Sequence, residues 1–170
     1  MFKYIPYLLI TMVVMLVQIF IIDQLSIAMW LRPMIFPLVV VLLPMEWRMI
    51  WVILITLAVS VVMDLSLGGS GLYTATLLPI ALLRPTILFI TTGRSVEPGD
   101  QSPLLSRIGI GHTMAFLAAM FFIHHLMFFA LETLSLTNVL QLIMTIIFST
   151  LLSTILAWPI VRIYNSKVVA

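Results

Sequence analysis

The sequence predicts an all-α membrane protein, a polytopic bundle of six transmembrane helices forming one domain over residues 1–170. Hydrophobic residues make up 63% of the chain and charged residues only 8%, against about 25% charged in a soluble domain. The mean hydropathy is +1.26. The apolar residues also fall into runs separated by short polar breaks, several of them near the roughly 20 residues that a crossing helix needs. The length suits one helical bundle and leaves no room for a second folded domain.

Span one covers Ile5–Ile22 and stops at Asp23-Gln24, with Gln18 as its strongly polar interior residue. One lysine precedes it, and it is too long for a signal-peptide core, so an uncleaved first span is expected. Span two, Trp30–Met45, is the awkward one. Its apolar part starts only at Met34, includes Pro37 and ends at Pro44-Met45, which is short for a full helical crossing, so it must reach back towards Ser26 or be thinned and tilted. Span three is Met49–Met63, introduced by Glu46-Trp47-Arg48 and ended by Asp64. Span four is Leu72–Ile90, where Pro79 and Pro85 are expected to kink the helix. Thr91–Arg107 mixes both charge signs with Gly93, Pro98, Gly99 and Pro103, and reads as an exposed loop. Span five is Ile108–Leu131, ending at Glu132, and span six is Asn138–Ile163, followed by a short tail with Asn165, Ser166 and Lys167.

Six spans put both termini on one side. Lys3, Arg48, Arg94, Arg107, Arg162 and Lys167 then share a side, and only Arg32 falls opposite, among Asp23, Asp64 and Glu132. Basic residues in short loops stay in the cytoplasm, so both termini are expected there. A net charge of +2 is too weak to imply nucleic-acid binding, and the absence of cysteine excludes disulfides and thiol chemistry.

The stretch Met63–Pro85 draws the eye: an acid, a glycine-rich turn at Gly68-Gly69-Ser70-Gly71, an apolar run and then Arg84-Pro85. A charge near the bilayer core costs several kcal/mol, which invites a functional reading of Asp64 and Arg84. Equally open is Asp64 at one membrane surface with Arg84 snorkelling to the other. Gly68 and Gly71 suit a reversal at positive φ. In span five His125 and Glu132 share a helix face and His124 is rotated away; a His–Glu pair at the membrane surface reads as a packing feature. No H-E-x-x-H, Gly-x-Ser-x-Gly or phosphate-loop pattern occurs, so no metal, cofactor or catalytic group is expected. In span six Asn138, Gln141, Thr145 and Ser149 form a polar stripe, while Ser149/Ser153 and Thr150/Thr154 repeat small residues at a spacing that lets a neighbouring helix approach.

In order along the chain, Leu43-Pro44, Asp64, Gly71-Leu72, Leu83-Arg84-Pro85 and His124-His125 with Glu132 resemble the rod shape-determining MreD family, Bacteroidetes-type members in particular. The resemblance spans essentially the whole chain. Where members often carry Gly-Leu-His, this chain has Gly71-Leu72-Tyr73. The resemblance implies a non-enzymatic subunit of the bacterial cell-elongation complex in the inner membrane. Implied partners are an MreC-like protein, a RodA-type glycosyltransferase, a class B penicillin-binding transpeptidase and, indirectly, MreB. It also implies a fold similar to the S-components of energy-coupling-factor transporters, and hence a second expectation: a small-ligand-binding subunit of a transporter. An intramembrane enzyme has no supporting constellation of residues.

Overall fold

The computed structural model describes residues 5–24, 31–45, 47–93, 109–133 and 139–168. Helix is the only extended secondary structure among them, as the composition requires. Four helices are long and apolar enough to cross a membrane. They are α3 (Met49–Leu67), α4 (Leu72–Thr92), α5 (Ile110–Glu132) and α6 (Val139–Val168). A shorter apolar helix, α1 (Ile5–Val17), continues into a π turn at Gln18–Ile22, closed by the bond from Asp23 N–H to the Gln18 carbonyl at 2.9 Å.

Span two is corrected. Residues 31–37 are not helical, and α2 is a single short piece, Leu38–Leu42. Pro33, Pro37 and Pro44 account for this, since proline lacks the N–H of a helical ladder and pushes the preceding residue out of the helical region. The segment still travels the length of the bundle. At one end of the molecule Tyr7 packs on Trp47 and Tyr164, with ring centroids 5.9 and 5.8 Å apart. At the other, Arg32 meets Glu132 at 2.5 Å. Arg32 thus lies at the Glu132 end and Trp47 at the Tyr164 end, and a largely extended chain at about 3.3 Å per residue reaches further than a helix of equal length.

That segment is the core. Residues 33–44 are buried without exception, and Phe36, Leu38, Val40 and Val41 are fully shielded. α4 packs between α3 and α5, α6 lies on α5, and α2 touches α1, α3, α4 and α5. The outward faces of α1, α3 and α6 carry exposed Leu, Ile, Val and Phe, as a lipid-facing surface does.

Helix ends differ from expectation by a few residues, and two differences matter. α3 runs past Asp64 to Leu67, so the acid belongs to the last turn of a helix. α6 continues past Ile163 to Val168, which makes Asn165–Lys167 helical instead of a tail. α4 is one continuous helix through Pro79 and Pro85, and it includes Thr91 and Thr92 from the expected loop. The remainder of that loop, residues 94–107, lies outside the described residues, as do Ile108 and Asn138.

Candidate functional site

Non-helical backbone at membrane depth is tolerated only where protein satisfies its polar groups, because lipid offers no hydrogen bonds. Side chains from three helices do this for residues 32–43. From α6, Ser149 Oγ accepts the Arg32 N–H at 3.1 Å and Ser153 Oγ accepts the Met34 N–H at 2.9 Å. Four helical residues rise about 6 Å and two extended residues span about 6.6 Å, so hydroxyls at i and i+4 of a helix meet alternate N–H groups of a strand running beside it. From the π turn after α1, Gln18 Oε1 accepts the Ile35 N–H at 2.7 Å, and its Nε2 donates to the Pro33 carbonyl at 3.5 Å. From α4, the guanidinium of Arg84 donates to the Val41 carbonyl at 3.3 Å and to the Leu43 carbonyl, at the end of α2. Pro33, Pro37 and Pro44 have no N–H to satisfy.

Arg84 is therefore neither snorkelling nor at a headgroup. It is 2% exposed and works as a C-terminal cap for α2, a position where a cation also meets the negative end of the helix. Asp64 has an equally internal task. Its Oδ1 accepts the Tyr73 N–H at 3.0 Å, and its Oδ2 accepts the Thr74 N–H at 3.0 Å and the Thr74 hydroxyl at 2.6 Å. A carboxylate in the last turn of α3 thus caps the first turn of α4 across the turn between them. It pairs with neither Arg32 nor any other cation among the described residues.

The turn is built for this. Gly68 sits at φ +69° and ends α3, with the Gly69 N–H bonded back to the Asp64 carbonyl at 3.0 Å, the six-to-one bond of a Schellman ending. Gly71 at φ +93° starts α4. Gly69 is required for space: a Cβ there would lie 2.6 Å from Asp64 Oδ1 and 2.4 Å from the Tyr73 ring.

His124 and His125 are core residues. His124 meets Phe36 edge-on at 5.0 Å and stacks on Phe128 at 6.0 Å; its Nε2 is 3.5 Å from Thr76 Oγ1. His125 stacks on Phe129 at 5.8 Å, donates from Nδ1 to the Phe121 carbonyl at 2.8 Å and lies 3.3 Å from Thr150 Oγ1. The expected His125–Glu132 pair does not form, because two turns of helix separate them and the Glu132 carboxylate is bonded to Arg32. His124 Nδ1 and His125 Nε2 are buried without hydrogen-bond partners. Among the described residues no three His, Asp or Glu side chains gather as a metal site would require.

The polar stripe of α6 also divides. Gln141 is exposed, whereas Thr145, Ser149 and Ser153 are buried, and the serines grip an extended chain instead of a neighbouring helix. Gln18, Ser149 and Ser153 are the functional positions that the sequence reading passed over as interior polar or small residues. The signal was the proline-rich short span, whose backbone needed partners from elsewhere.

No family model matches the chain, and no curated protein or solved structure does.

Proposed function

We propose that the chain is a non-enzymatic scaffold subunit of the bacterial cell-elongation complex, of the MreD kind, acting in the inner membrane beside an MreC-like protein. The observation that carries this reading is the use of the buried polar side chains. Gln18, Arg84, Ser149, Ser153 and Asp64 all bond the protein's own backbone, which makes a rigid intramembrane platform. The positions that carry the family resemblance support it further, because each is a joint of the fold. Leu43 offers its carbonyl to Arg84, Asp64 and Gly71 build the α3–α4 turn, and His124 packs on Phe36 of the buried segment.

Exposed Arg48 and Arg162 lie near the Tyr164 end, and exposed Asp23 and Glu132 lie at or near the Glu132 end. The preference of basic residues for the cytoplasm supports an orientation with the Tyr164 end, and with it both termini, inside. Reporter fusions after Lys3, within Thr91–Arg107 and after Lys167 should all report cytoplasm. The function itself is tested by depleting the chain from its own cells and purifying the tagged protein from native membranes. Loss of rod shape, with an MreC-like protein and a RodA-type synthase co-eluting, is the expected result. Unchanged shape with no cell-wall protein co-eluting would refute it.

A ligand-binding subunit like a transporter S-component is the second reading, favoured by the two unpartnered imidazole nitrogens in the core. A vitamin-sized ligand that raised the melting temperature of the purified chain would support it over the scaffold.

A further inference from the structure

His124 and His125, consecutive on α5, are fully buried, with ring centroids 5.7 Å apart and ring planes crossing at 83°. Their hydrogen bonds fix where each imidazole carries its proton. A carbonyl only accepts, so the 2.8 Å bond to the Phe121 carbonyl puts the His125 proton on Nδ1 and leaves Nε2 as a bare lone pair. The Thr76 hydroxyl donates to the Leu72 carbonyl at 3.0 Å, so its oxygen is left to accept from His124 Nε2, at 3.5 Å. The His124 proton is therefore on Nε2, and Nδ1 is the bare nitrogen. Neither ring has a carboxylate partner among the described residues, and a second proton would bury an uncompensated charge, so both imidazoles are neutral. His124 Nδ1 and His125 Nε2 are thus two buried acceptors without a donor.

Two acceptors on adjoining rings call for one donor with two hydrogens. An anion would face two lone pairs, and a cation would be buried without a counter-charge. The surroundings keep the donor small: Phe36 meets His124 edge-on at 5.0 Å, Phe128 stacks on it at 6.0 Å, and Phe129 stacks on His125 at 5.8 Å. We propose that a single internal water bridges His124 Nδ1 and His125 Nε2, donating one hydrogen to each. An oxygen about 2.9 Å from each nitrogen is compatible with the 5.7 Å between the ring centroids. Two polar partners meet the least that a buried water requires. Because His124 also reaches Thr76 on α4 and His125 lies 3.3 Å from Thr150 on α6, the water joins the polar contacts of three helices into one network. It satisfies both nitrogens without a larger ligand, and it holds for a scaffold and for a transporter subunit alike.

The test is NMR of the purified full-length chain, with isotope-labelled histidine, in bicelles. Nitrogen shifts should show neutral rings, protonated on Nε2 in His124 and on Nδ1 in His125. The carbon-bound proton between the two nitrogens of each ring should show a cross-peak to water, with the sign of a long-lived bound molecule. Exposed His112 should show only the signature of exchanging bulk solvent. His124→Phe should remove the water cross-peak at His125, and His125→Phe the one at His124, because one water serves both. Melting curves establish that each variant is folded, and the wild-type spectrum decides alone where one is not. No bound-water cross-peak at either ring of the wild type overturns the bridge. So does a cross-peak at His125 that survives His124→Phe at full intensity, or a proton found on His124 Nδ1 or His125 Nε2. Cross-peaks from a co-purified organic molecule in place of water would overturn it in favour of a larger ligand.

Discussion

Replacing Gln18 by Met removes both hydrogen bonds that the π turn gives to the buried segment while keeping an unbranched side chain of similar volume. The Ile35 N–H, bonded at 2.7 Å, then loses its acceptor in a place that neither water nor lipid can supply one. A buried donor left unpaired costs about 1–3 kcal/mol, and the longer contact to the Pro33 carbonyl at 3.5 Å adds less. With little cavity created, the expected loss is about 2–3 kcal/mol, or roughly 30- to 150-fold in the folding equilibrium. Reversible unfolding in mixed detergent–lipid micelles measures it directly. Gln141→Met serves as the control, because Gln141 is exposed on α6 and its loss should cost less than about 0.5 kcal/mol. If Gln18→Met matched Gln141→Met, side-chain satisfaction of the broken segment would not be what holds it.

Three further outcomes follow from the same contacts. Asp64→Ala should cost about 1–2 kcal/mol of stability by uncapping α4, and Asp64→Asn, which keeps an acceptor, clearly less; both are read by thermal unfolding. Gly69→Ala should destabilise more than Gly68→Ala: the former drives a methyl into Asp64 and a Tyr73 ring that Phe36 and Phe128 keep from moving, at about 1–3 kcal/mol, and the latter only strains φ, at about 1 kcal/mol. Ser149→Ala and Ser153→Ala should each cost about 1–3 kcal/mol, and their double variant with Gln18→Met should deviate from additivity, since all three hold one segment.

The long helices were legible because each is an apolar run closed by a strong local signal, such as Gly68 after α3 or Gly93 after α4. Residues 34–45 were not, because a buried extended chain and a buried helix are equally apolar and show no periodicity to separate them. Pro33, Pro37 and Pro44 were the visible clue, but proline says where a helix fails and not which distant side chain compensates. Asp64 stands out as an acid in an apolar stretch, but the groups it bonds, at Tyr73 and Thr74, do not. Capping patterns are read at a spacing of three residues, and this cap reaches nine and ten residues forward across a turn. Arg84 posed the same problem in reverse, since snorkelling and inward capping demand the same residue in the same apolar run. The choice is decided by the short α2 and its end at Leu42, which the sequence does not announce within the expected second span.

Amide hydrogen exchange at Met34 and Ile35, measured on the intact chain in bicelles, tests the central claim most directly. Both residues lie outside any helix, yet their N–H groups are buried and bonded to Ser153 and Gln18. Exchange as slow as in the middle of α5 is expected in the wild type, with protection of Ile35 lost in Gln18→Met and that of Met34 lost in Ser153→Ala. Exchange at the rate of an open loop in the wild type would contradict the clamped, buried segment on which the whole interpretation of this fold depends.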